Sequence, residues 1–87
     1  MKILFNRKKV LGAMYNATTH DTTVRVTPTR ISCRTISVLP RNNPKNTDTP
    51  PKVIIDFPVE VIREWISNHE NETYLPIFVS ENNLVLL

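Results

Sequence analysis

Cys33 is the only thiol in the 87-residue sequence, and His20 and Asp21 are adjacent. Together these three residue types would supply a nucleophile, a general base and a carboxylate to orient it. Their settings argue against that chemistry. Cys33 falls at an apolar parity of a β-type stretch, whereas His20-Asp21 belongs to the polar, turn-like residues 16–21. Cys33 therefore reads as a small buried hydrophobe, and with no second Cys it forms no intramolecular disulfide. Glu60 and Glu64 lie one helical turn apart, a spacing that suits paired carboxylates. With Arg63 beside them they read instead as a solvated helix face. His20 and His69 are far apart and the thiol is single, so the clustered ligands of a zinc site are missing. A phosphate-cradling loop needs several glycines, and the chain has one. The residues predict no catalytic site, no metal and no cofactor, and thus a protein that is not an enzyme.

The cations stand above this background. Arg25, Arg30 and Arg34 punctuate the β-type stretch, and Lys8, Lys9, Arg41 and Lys45 lie on segments that flank it. If the arginines project from one face, their planar forks suit carboxylate or phosphate. These seven residues are the candidate partner-binding set. Their setting is dipolar: residues 1–52 carry ten of the eleven Lys/Arg against Asp21 and Asp48, net +8. Residues 53–87 carry Arg63 against six acids, net −5. Charge asymmetry of this kind informs about partners rather than fold. Residues 16–52 contain no aromatic for base stacking, which lowers a single-strand-binding reading but leaves phosphate-backbone contact open.

The length fits one domain, with a basic half (1–39), a Pro/Asn/Thr-rich stretch (40–52) and an acidic half (53–87). Stretch 40–52 reads as an extended surface loop. No apolar run approaches the ~20 residues that cross a bilayer, and residues 1–11 are too interrupted by Asn6, Arg7, Lys8 and Lys9 for a signal peptide. A soluble, cytoplasmic protein with no membrane partner is expected.

Periodicity then assigns the elements that position the cations. Lys2-Ile3-Leu4-Phe5 reads as a first strand, Asn6–Lys9 as a turn, and Val10–Tyr15 as either a strand or a helical turn. Val24 and Val26 alternate with Thr23, Arg25 and Thr27, and past Pro28 the apolar parity continues at Ile31 and Cys33. Ile36 and Val38 take the opposite parity, which a bulge near Arg34-Thr35 or a hairpin around Thr27-Pro28-Thr29 would reconcile. Val53-Ile54-Ile55 reads as a buried strand that leads into a helix over Pro58–His69, with Asp56 as its cap. Val61, Ile62, Trp65 and Ile66 form the apolar stripe of that helix, and Trp65 is its core anchor. Tyr74–Val79 and Leu84–Leu87 read as a hairpin about Asn82-Asn83, with Glu81 opposing Leu84 and Val79 opposing Leu86.

The predicted fold is α+β: a mainly antiparallel sheet of about five strands with one helix across one face. A parallel strand–helix–strand crossover through 53–79 is the alternative. The predicted function is a non-catalytic binding protein that docks on an acidic surface of a protein partner. In size and composition it suits an accessory or inhibitory factor of the kind that phages and mobile elements encode. Nucleic-acid binding by the same cations is the second reading; self-association, basic half to acidic half of a neighbour, is compatible with both, and the apolar C-terminal strand Leu84–Leu87 offers an exposed edge for a homo-oligomer.

Overall fold

The computed structural model describes residues 1–35 and 53–87. Arg41, Lys45 and the rest of the 40–52 stretch lie outside them, as do Ile36 and Val38. The class is α+β as expected, but the described residues form six strands in two sheets, with two helices, rather than five strands and one helix. The strands are β1 (Lys2–Asn6), β2 (Thr22–Val26), β3 (Ile31–Thr35), β4 (Ile55–Pro58), β5 (Tyr74–Ser80) and β6 (Asn83–Leu86); the helices are α1 (Arg7–Ala13) and α2 (Val59–Asn68). One antiparallel sheet runs β1-β5-β6 and the other β3-β2-β4. Since β4 and β5 fall in different sheets, the segment 53–79 is not a parallel crossover within one sheet.

The two sheets share one core. Phe5, Leu75 and Ile77 from the first sheet join Val24 and Val26 from the second, with Val10 of α1 and Val59, Ile62 and Trp65 of α2. Helix α1 resolves the ambiguity at Val10–Tyr15. The residues that look like a turn are its start: Asn6 accepts the Lys8 amide at 2.9 Å on its side-chain oxygen, and Arg7–Lys9 form the first turn. The loop after α1 reverses with Asp21 at φ 55°, a left-handed conformation that a short polar side chain tolerates.

Two prolines sit where the sheets accommodate a missing N–H. In β2–β4, the Thr23/Pro58 and Arg25/Asp56 pairs alternate with Val24/Phe57 and Val26/Ile55. Pro58 ends β4 and is the N-cap of α2. Asp56 is therefore a strand residue and not the helix cap. The helix starts one residue later than expected, and its buried stripe is Val59, Ile62 and Trp65, with Val61 turned outward. Spacings of three from Val59 select that face. In the first sheet, Met1 exchanges both backbone hydrogen bonds with Val79, each at 2.7 Å. This phase turns Pro76 toward Leu87, whose N–H donates to the Pro76 carbonyl at 3.2 Å. Pro76 returns no donor, and the backbone oxygen of Leu87 meets His69 Nε2 at 2.6 Å instead.

The C-terminal hairpin forms, but its turn is Glu81-Asn82: Val79 opposes Leu84 and Ser80 opposes Asn83. The register is two residues from the expected one. A shift of two preserves the side-chain face, so Val79 and Leu84 still meet in the core. In the second sheet, β2 and β3 form the hairpin about Thr27-Pro28-Thr29: Thr27 N–H donates to the Arg30 carbonyl at 2.8 Å across Pro28-Thr29, and Thr27 Oγ1 accepts from the Arg30 amide at 2.9 Å, while the parity change at Ile36 and Val38 lies outside the described residues.

No helix among the described residues is long and apolar enough to cross a membrane.

Candidate functional site

The β2–β3 hairpin presents Arg25, Ser32 and Arg34 on the outer face of its sheet, because Val24, Val26 and Cys33 take the other parity. The expected arginine row is thus present in part, but it is not a free basic patch. Arg25 lies opposite Asp56 and holds its carboxylate through two bonds, Nε–Oδ1 at 2.9 Å and Nη2–Oδ2 at 3.1 Å. The Arg25 bond, with help from the charges of Arg25 and Arg34, depresses the Asp56 carboxyl below its ordinary range, and the same bond raises Arg25. Arg25 is engaged within the fold, and Arg34 stands near the same carboxylate.

Arg30 and Lys9 are placed differently. Both line an open groove of about 720 Å³ that runs between β1 and the start of β3. One wall is Ile3–Asn6 of β1, and the other is Pro28–Ser32 of the hairpin. Helix α1 brings in Lys9 because it leaves β1 directly at Asn6, and the Thr27-capped turn fixes Arg30. Among the described residues, the lining contains no acidic side chain. Its other members are mostly apolar, with Ile3, Leu4, Phe5 and Ile31 along the walls and Tyr74 at one side. Lys8 faces elsewhere, into a second depression with Arg7, Glu70 and Glu72 that mixes both charges.

Two residues that sequence reasoning missed complete the site. Tyr74 is half exposed and pairs with Asn6 across β1–β5; the nearest aromatics in the linear chain were Phe5 and Tyr15, and only the pairing of distant strands brings Tyr74 in. Leu4 is also half exposed, and its alternation with Ile3 and Phe5 was the available signal.

The remaining candidates for chemistry do not converge. Cys33 is partly buried opposite Val24. The His20 carbonyl accepts from Thr18 and Thr22 hydroxyls in the loop, and Glu60 and Glu64 are exposed on α2. Among the described residues, no group of three or more His, Cys, Asp or Glu is arranged to hold a metal ion. His69 has a structural partnership: beyond Leu87 it bonds Glu72 through Nδ1, and the Leu87 oxygen first, then Glu72, raise its pKa. Arg7 closes the end of α2 beside it, donating to the His69 carbonyl at 2.6 Å.

These features define a small two-sheet α+β module with a cationic, apolar-walled groove between two strand edges. No protein-family model matches the chain, and no characterised protein or solved structure matches it.

Proposed function

We propose that this protein is a non-catalytic binding module that docks an acidic segment of another protein in the groove between β1 and β3. The observation that carries this reading is the placing of Lys9 and Arg30 in an apolar-walled groove whose described lining holds no acid. Cations with no ion-pair partner among the described residues, set against apolar surface, favour a ligand that supplies both carboxylates and aliphatic area. The engagement of Arg25 by Asp56 directs the reading to this pair and away from the sheet face. A modulating or inhibitory role toward the partner follows from docking without chemistry.

One observation favours a second reading. Tyr74 lines the same groove as Lys9, and an aromatic beside cations suits the stacking and backbone contacts of single-stranded nucleic acid.

The test is an anisotropy titration of labelled decaglutamate and of a generic single-stranded DNA at two salt concentrations. It compares the natural chain with the Lys9→Glu/Arg30→Glu variant and with Arg34→Glu. Hydrogen bonds to charged groups contribute about 1.5–3 kcal/mol each, so the double reversal should weaken decaglutamate binding by at least about tenfold, with circular dichroism unchanged. Arg34, outside the groove lining, should matter little. Binding indifferent to the double reversal would refute the groove. DNA bound more tightly than decaglutamate, with a steep salt dependence, would establish the second reading instead.

A further inference from the structure

We propose that the partner segment enters the groove as an additional β-strand on the edge of β1 that no described strand covers, and that it alternates acidic with aliphatic residues. This rests on the groove being the docking site for an acidic protein, and it adds the mode and the sequence character of the ligand.

The backbone phase carries the first part. Met1 exchanges both of its hydrogen bonds with Val79, so Met1, Ile3 and Phe5 face β5, while Lys2 and Leu4 turn their N–H and C=O groups away from it. Among the described residues β1 is at the outside of its sheet, and Leu4 lies on the wall of the groove that runs from Ile3 to Asn6. Among the described residues the opposite wall is also a strand edge. Since Thr27 and Arg30 form a hydrogen-bonded pair, Ile31 points its peptide groups away from β2. A strand edge with outward donors and acceptors is a template for another strand, and strand addition is a recurrent mode of peptide recognition. Four residues of wall correspond to roughly 13 Å of extended chain.

Side chains carry the second part. A strand alternates its faces with period two. Leu4, half exposed on the groove wall, offers aliphatic surface, and Lys9 and Arg30 line the same groove and offer charge, so a strand that alternates the two residue types can meet both. A second copy of this chain is a poor occupant, because its β1 carries Lys2 and no acid and would add a cation to a groove already lined by Lys9 and Arg30. Nucleic acid would make no use of the paired strand edges.

The probe is the acetylated, amidated peptide Glu-Val-Glu-Val-Glu-Val-Glu, in three forms: unmodified, N-methylated at every Val, and N-methylated at every Glu. Each methylated form lacks the N–H groups on one side of an extended strand. Calorimetry with the full-length chain measures affinity, and amide hydrogen exchange follows Lys2 and Leu4. The unmodified peptide should bind and protect the Leu4 amide, and at least one methylated form should bind about tenfold more weakly or worse. All three forms binding alike, each lost in the Lys9→Glu/Arg30→Glu variant, would overturn strand addition and leave acidic docking standing. No binding of the unmodified peptide at millimolar concentration, or binding indifferent to the charge reversal, would overturn both. A Leu4 amide already protected in the free chain, as a monomer or as a β1-paired dimer, would also overturn strand addition, because the edge would be covered.

Discussion

Trp65→Phe should loosen the joint between the two sheets that frame the groove. Helix α2 packs against β2 and β4 of one sheet, yet the Trp65 indole reaches the other, donating from Nε1 to the Pro76 carbonyl of β5 at 3.1 Å. Trp65 is 3% exposed, so water does not replace that bond. Its loss forfeits about 0.5–1.5 kcal/mol. No large penalty for an orphaned acceptor is added, because the Pro76 oxygen keeps the Leu87 N–H at 3.2 Å. Truncating a buried Trp to Ala costs about 3–5 kcal/mol; a phenyl ring retains most of that area, so the residual void adds about 1 kcal/mol. The total is about 2 kcal/mol, which in a domain of this size lowers Tm by about 10 °C. The substitution removes the only Trp, so urea unfolding must be followed by far-ultraviolet circular dichroism. The midpoint should fall while the slope m is unchanged. A loss below about 0.5 kcal/mol, the range of ordinary surface changes, would refute the claim that this indole ties the sheets.

Two further predictions concern ionisable groups. Asp56 titrates below its ordinary carboxyl range because Arg25 bonds it, so its stabilisation is present above the unfolded value of about 3.9 and is lost as pH falls through the lower folded value. Both partners are more than a third exposed, and a double-mutant cycle through Arg25→Ala and Asp56→Ala should give a coupling of only about 0.2–1 kcal/mol; a value well above that would mean that the pair is effectively desolvated. His69 has the opposite sign. Its pKa is raised by the Leu87 oxygen and Glu72, so its contribution is full below the unfolded value of about 6.5 and fades as pH climbs through the higher folded value. Proton NMR of His69 should show a midpoint above 6.5, and His69→Gln should flatten stability against pH across that window; a midpoint at or below 6.5 would contradict the arrangement.

Local pattern made several elements legible. The alternation of Val24, Val26 and Cys33 specified which face of the hairpin is buried, and the three-residue spacing through Ile62 and Trp65 specified α2. The C-terminal hairpin was visible from its two apolar runs. Its exact pairing was not, because registers two residues apart bury the same face and only the observed turn chooses between them. Asp56 was misassigned for a related reason: an acid before a proline is equally good as a helix cap or as a strand residue, and the choice depends on whether Arg25 lies across from it. The division into two sheets was hidden too, since strand partners such as β1 and β5 are some seventy residues apart.

The same distinction separates what the candidate site owes to each level. Composition alone determined that the first half of the chain is basic, that its cations are Arg and Lys on or beside β structure, and that Gly, Cys and His are too few for phosphate-loop or zinc chemistry. Those are properties of residue type and short spacing, which a linear chain displays. Only the tertiary structure decided which of these cations are engaged within the fold and which line the groove. It set Arg25 against Asp56 and gathered Lys9, Arg30, Leu4 and Tyr74 around one groove. The physical reason is that partnership between charges depends on distance through space, and the pairing of β2 with β4 and of β1 with β5 joins residues the sequence keeps far apart.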